Sequence, residues 1–295
     1  MTNLHVVYDV AGWAYHNIAR ALQRHGPADF TITMSSYADY MAAPSPADLV
    51  LCFVYGQAAA VRQQTPTGTK LVISFNTGEC TREQMQELLQ HCDWVVVNNE
   101  AAWKQAGRLE RTTPIANGVD LDLFCPLPSV PKTHRTLWVG SKTHALLKGY
   151  EILQQLEQDI PSRLGIATDF RLVDSFGKTS LRMSPEEMAR WYQTGTIYVC
   201  ASACEGTPNP VLESMASGLV IVSTPVGNVP ELIRNGFNGI IVQRSVEAIL
   251  SGIEMALCGH RRLREKSLET ISSRSWQCQC QIYFALLRNV ISQQY

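Results

Sequence analysis

Two carboxylates, Glu205 and Glu213, stand eight positions apart in the stretch C-E-G-T-P-N-P-V-L-E-S-M-A-S-G of residues 204–218. Residues 196–200, T-I-Y-V-C, are β-branched or aromatic and predict a short buried parallel strand, and the Gly, Pro and Asn that follow mark a turn. Beyond the turn Asn209 is expected as an N-cap and Pro210 as the first helical residue. Val211, Leu212, Met215 and Ala216 then supply helical apolar spacing up to Gly218. Such a strand-to-helix junction turns free N–H groups and the positive end of the helix dipole toward an anion, most often a phosphate. Glu213, about one turn into the helix, is placed to accept hydrogen bonds from the vicinal hydroxyls of a ribose. Glu205, at the strand's end, is placed to reach a second hydroxylated group. A phosphate flanked by two hydroxyl acceptors is what a nucleoside-diphosphate sugar requires. Taken alone, the pair also fits a loop carboxylate and a helical carboxylate steadied by the dipole.

The elements that must position this junction recur along the chain. Residues 4–10 predict a strand, 13–25 a helix, and 30–34 and 48–55 further strands. Residues 71–75 and 94–98 continue the pattern with a helix over 82–90 between them. After the proline-rich stretch 125–131 the alternation restarts, with strands at 137–140, 170–173, 196–200, 220–223 and 240–242. Strands separated by helices imply parallel sheets covered on both faces. The expected organisation is α/β, with an N-terminal domain over 1–125, a second domain over 132–274, and a C-terminal amphipathic helix over 275–295 built on Trp276, Ile282, Tyr283, Leu286, Leu287 and Val290. Gly12 follows the first strand and precedes the helix over 13–25, where it fits a tight turn as well as a close backbone approach to a ligand, while Trp13 also fits a core role and His16 a surface one.

The run from Glu205 to Glu213 matches the E-x7-E motif of retaining glycosyltransferases with the GT-B fold. Its continuation through residues 214–239 resembles the A-M-A-x-G and G-x-x-E-x-I runs of glycosyl transferase family 4. Asn117-Gly118-Val119-Asp120 with Phe124 is similar to the family's N-G-V-D-x-x-x-F element, and Val139-Gly140-Ser141-Lys142 followed by Lys148-Gly149 to its V-G-R and K-G element. The resemblance implies two Rossmann-like domains with parallel sheets facing across a cleft, the N-terminal one holding the acceptor, the C-terminal one the nucleotide sugar, and the last helix packing back across the domain junction.

Carried over by position, the resemblance implies that Glu213 binds the donor ribose and Glu205 a hydroxyl of the transferred sugar. Gly206, Thr207 and the amides of Asn209, Val211 and Leu212 would cradle phosphate, with Gly12 approaching from the opposite wall. Lys148 and Lys142 would neutralise the diphosphate, and Trp13, His16 and Asn76 would face the acceptor. Glu205 and Lys148 are the expected catalytic pair, with no metal and no cofactor beyond the sugar nucleotide. Three positions depart from the family: Pro208 removes an amide donor where glycine is common, Lys142 lacks the fork of the usual arginine, and Asn76 stands where a histidine is usual. The implied reaction is transfer with retention to a glycan, a small molecule or a modified base in DNA, as in viral hydroxymethylpyrimidine glucosylation. A non-catalytic nucleotide-sugar-binding protein is the other reading left open. Donor choice would depend on residues 174–178.

Composition sets the outer bounds. The 295 residues are 45% hydrophobic and 17% charged, enough for two packed domains, and a net charge of -1 supplies no global field for nucleic acid. The basic run 260–266 reads first as a solvated helix face. Nine cysteines without a C-x-x-C pair, and no apolar run approaching the roughly 20 residues of a spanning helix, lead us to expect reduced thiols and a cytoplasmic protein.

Overall fold

Short apolar runs form the strands and amphipathic runs the helices. The structure is a computed structural model, and it describes residues 1–128, 133–173 and 183–293. The chain divides into two units, one comprising Met1–Gly118 with Trp276–Tyr295, the other Val119–Ser275.

The first unit alternates β1 (Thr2–Tyr8), α1 (Ala14–Arg24), β2 (Phe30–Ser36), α2 (Tyr37–Ala42), β3 (Leu49–Cys52), α3 (Ala58–Gln64), β4 (Lys70–Phe75), α4 (Arg82–Leu89), β5 (Trp94–Val97), α5 (Glu100–Gln105) and β6 (Thr112–Pro114). The sheet order is β2-β1-β3-β4-β5-β6, and every pairing is parallel. All four residues of β3 and the three valines of β5 are buried, as expected of strands covered on both faces.

The second unit runs β7 (Arg135–Ser141), α6 (Tyr150–Leu164), β8 (Ala167–Val173), α7 (Pro185–Tyr192), β9 (Ile197–Cys200), α8 (Asn209–Ala216), β10 (Val220–Ser223), α9 (Val229–Leu232), β11 (Ile240–Ile241), α10 (Val246–Cys258) and α11 (His260–Ile271). Its sheet is also parallel, in the order β11-β10-β9-β7-β8. The basic run at 260–266 is the start of α11. There Arg261 pairs with Glu265 and Lys266 with Glu269, while His260 is buried against the Thr196 carbonyl. The last helix, α12 (Trp276–Ser292), belongs to the first unit, where Phe284 packs on Phe30 with ring centroids 4.9 Å apart and Arg288 forks onto Asp29.

Two parallel α/β units in series are the expected GT-B architecture. The division falls at Gly118–Val119, ahead of the proline-rich stretch whose last residues lie outside the described ones. Val119 donates to the Arg274 carbonyl at 2.9 Å, so the entry and exit of the second unit run side by side. Asp120 accepts from the amides of Asp122 and Leu123, and Phe124 is buried against Tyr192, which makes the N-G-V-D-x-x-x-F element a structural seam. Among the described residues no helix is long and apolar enough to cross a membrane.

Candidate functional site

In the second unit β10, β9 and β7 are neighbours, so the loops that follow them gather at one carboxyl edge of the sheet, where open α/β sheets bind ligands. The loop after β9 carries Glu205 and is held from both sides. On one side Ala203 donates to the Leu147 carbonyl at 2.8 Å. Gly149 adopts φ 76°, and a Cβ there would collide with the Ala201 carbonyl. Arg244 clamps the same two loops, donating to the carbonyls of Ala201 and Leu146 and to the Glu151 carboxylate. On the other side Thr224 donates to the Ser202 carbonyl at 2.7 Å and the Asn228 amide to the Gly206 carbonyl at 3.1 Å. Gly227, at φ 52°, passes so close to Gly206 that any side chain would strike its carbonyl.

Within this frame Lys148 Nζ lies 2.6 Å from Glu205 Oε1, and Ser202 Oγ donates to the same oxygen at 2.7 Å. The side chains are 26% and 11% exposed, so the pair is largely withdrawn from solvent. Partial burial strengthens the attraction and makes removal of either partner costly.

Glu213, in α8, accepts a 2.9 Å hydrogen bond on Oε2 from Tyr192, a fully buried residue at the end of α7. Burial pushes the Glu213 carboxyl up to about 7, and the Tyr192 hydroxyl opposes that shift. Tyr192 and its neighbour Tyr198 are themselves held protonated by burial. A capping box of Ser184 and Glu187 begins α7 and sets the register that delivers Tyr192. The carboxylate is therefore anchored by one oxygen and titrates near neutrality.

The helix terminus differs from expectation. Pro208, not Asn209, is the N-cap of α8, with no side-chain cap, and Asn209 is the first helical residue. Two of the first four amide positions are then prolines, and the Val211 N–H is spent on the Pro208 carbonyl at 2.8 Å. Val211 is thus removed as a phosphate donor, and Pro210 has no N–H to offer. Lys142 is exposed at the start of the loop that ends in Lys148. Residues 174–178, expected to influence donor choice, lie outside the described ones.

Gly12, Trp13, His16 and Asn76 lie in the first unit. The Gly12 amide donates to His16 Nδ1 at 2.8 Å, Trp13 is the N-cap of α1, and Asn76 follows β4 and donates to the Ser74 hydroxyl at 3.2 Å. Sequence reasoning missed Ser202, Arg244, Gly227 and Tyr192. Ser202 is only three residues from Glu205 and was within reach of local inspection. Tyr192 is 21 residues from Glu213 and carries no local signal.

Residues 133–258 match the family model described as Glycosyl transferases group 1. The D-inositol 3-phosphate glycosyltransferase of Thermobifida fusca is 24% identical over 220 residues, which are 62% of this chain and 51% of that protein, so the chain spans about half the length of this relative. Sucrose-phosphate synthase from Thermosynechococcus elongatus superposes with a TM-score of 0.78 at 15% identity, covering 99% of this chain and all of that one. Anabaena HepE, solved in complex with UDP and glucose, superposes with a TM-score of 0.75 at 13% identity over 98% of this chain and all of its own.

Proposed function

We propose, for a chain whose residues 133–258 form a Glycosyl transferases group 1 domain, that it moves a sugar from a nucleoside-diphosphate sugar to an acceptor hydroxyl, with retention and without a metal ion. The observation that carries this reading is the Lys148–Glu205 pair, held at 2.6 Å where three loops converge. A bound diphosphate takes the Lys148 ammonium, and Glu205, still held by Ser202, turns to a hydroxyl of the sugar. The Glu213 carboxylate accepts from the ribose while Tyr192 fixes its other oxygen.

As the anomeric C–O bond breaks, its electron pair passes to the leaving diphosphate, whose growing charge Lys148 and the α8 terminus stabilise. The acceptor oxygen bonds to the anomeric carbon on the same face and gives its proton to the departing phosphate oxygen. Lys148 thus supplies the charge that a divalent cation supplies in other transferases, and the sugar nucleotide is the co-substrate in place of a cofactor. HepE was solved with UDP and glucose, which makes UDP-glucose the first donor to test.

The test is a thermal-shift and turnover screen against UDP-, GDP-, ADP- and TDP-sugars in EDTA, with Glu213→Ala as control. A specific shift and slow release of nucleoside diphosphate, both lost in the variant, are expected. Binding without release identifies a non-catalytic nucleotide-sugar protein, and turnover that EDTA abolishes overturns metal independence.

A further inference from the structure

We propose that the first unit holds a binding site for a soluble phosphate ester in the groove between α4 and residues 107–111. The groove has a volume of about 700 Å³, and Arg82, Gln86, Gln90, Arg108, Glu110 and Arg111 supply its polar side chains. That is the size of a small-molecule site and well beyond what inorganic phosphate fills. Residues 107–111 lead directly into β6 at its amino end. This wall of the groove therefore lies at the end of the sheet opposite to the one where open α/β sheets take their substrates.

Spacing and backbone together concentrate positive charge here. Arg82, Gln86 and Gln90 recur every four residues and so share one face of α4, while Glu83 and Glu87 lie outside the lining. Across the groove Arg108 and Arg111 have φ of 50° and 61°, the two non-glycine residues with a positive φ among those described. L side chains rarely take that conformation, and such outliers gather at functional sites. Gly107, at φ 84°, has no Cβ where the Arg82 guanidinium lies, so α4 sets its charge directly on the 107–111 segment. Arg108 lies over the Trp103 ring at 5.4 Å, and Arg111 donates to the carbonyls of Leu89 and Cys92. Those contacts hold the two cations in place and leave their charge in the groove. Among the described residues no carboxylate forms an ion pair with any of the three arginines, although Glu110 shares the lining. Three guanidinium groups against one carboxylate repel one another. An anion with several oxygens relieves that repulsion, and the guanidinium fork matches phosphate. Gln86 and Gln90 offer amides to the hydroxyls of the rest of the molecule.

The experiment titrates the full chain at low ionic strength with glycerol 3-phosphate, ribose 5-phosphate, inorganic phosphate and glycerol, read by ligand-observed NMR. At least one ester should bind more tightly than either phosphate or glycerol, and Arg82→Gln and Arg108→Gly should each weaken that binding about tenfold. Arg82 is exposed, and glycine accepts a φ of 50° freely, so both variants should keep the thermal midpoint and separate lost binding from lost folding. Lys148→Ala should leave the ester affinity unchanged. No ester bound, equal binding in the wild type and both arginine variants, or loss of the ester in Lys148→Ala each overturns the proposal, the last by placing the phosphate in the donor loop. Vesicles of phosphatidylcholine with phosphatidic acid present the same phosphate on a lipid. Capture by these vesicles without binding of the free esters overturns a soluble ligand.

Discussion

Glu213 is a carboxyl whose environment sets its chemistry. Burial raises its pKa to about 7, so it is protonated in mild acid and ionises as pH passes through neutrality. Only the ionised group keeps both oxygens as acceptors, one for Tyr192 and the other for a ribose, and the diphosphate of a sugar nucleotide does not titrate in this window. UDP-glucose affinity measured by calorimetry should therefore rise from pH 6 to 8, and a flat profile would count against the ribose role. Tyr192→Phe removes the donor that favours the carboxylate and should move the midpoint upward by on the order of one pH unit, the equivalent of about 1.4 kcal/mol. Stability has the opposite slope. A raised native pKa means the folded state holds this proton more tightly, so the contribution is full below the unfolded carboxyl pKa and is lost as pH rises through about 7. Relative to Glu213→Gln, the ligand-free wild type should lose thermal midpoint across that range. At Lys148, substitution by alanine leaves the Glu205 carboxylate with Ser202 alone and removes charge from the leaving group. Turnover should fall about a hundredfold, with a smaller change in donor affinity.

Among elements, the loops after β7, β9 and β10 act as one unit because backbone contacts lock them. Gly227 is where that locking is tightest, with a left-handed backbone against the Gly206 carbonyl. Gly227→Ala should cost about 2 kcal/mol or more, since the strained φ and the collision add. It should also displace Glu205, so a lowered melting temperature accompanied by loss of donor binding is expected in denaturation and titration experiments. The strands and helices themselves were largely legible. Val95, Val96 and Val97, and Leu49 to Cys52, announce buried strands by composition, and Asn209-Pro210 announces the start of α8. What the pattern misjudged was the cap. Two prolines two residues apart admit two helix starts, and the turn closed by Val211 and the Pro208 carbonyl selects the earlier one.

For the whole molecule, the chain leaves the first unit at Gly118, builds the second, and returns for α12. That helix buries Tyr283, Phe284, Leu287 and Val290 in the first unit's core. Each such side chain contributes about 1.5–3 kcal/mol by burial, so the four together rival the whole stability of about 5–15 kcal/mol typical of a domain. A chain ending at Ser275 should lose the first unit's calorimetric transition while retaining one for the second. An unchanged thermogram would show that α12 is dispensable.

The sequence by itself determined the alternation of strands and helices, the two-unit α/β plan, and the placing of Glu205 on a strand-to-helix loop with Glu213 in the helix beyond it. Each of these is written in contiguous residues, where periodicity, turn chemistry and capping act over a few positions. Only the tertiary structure decided that Lys148 meets Glu205 across 57 positions, that Tyr192 holds Glu213, and that Val211 has no amide to offer. Those facts depend on which strand ends lie side by side and on what burial does to a charge. Neither leaves a periodic trace in the chain, because packing joins residues without regard to their distance along it.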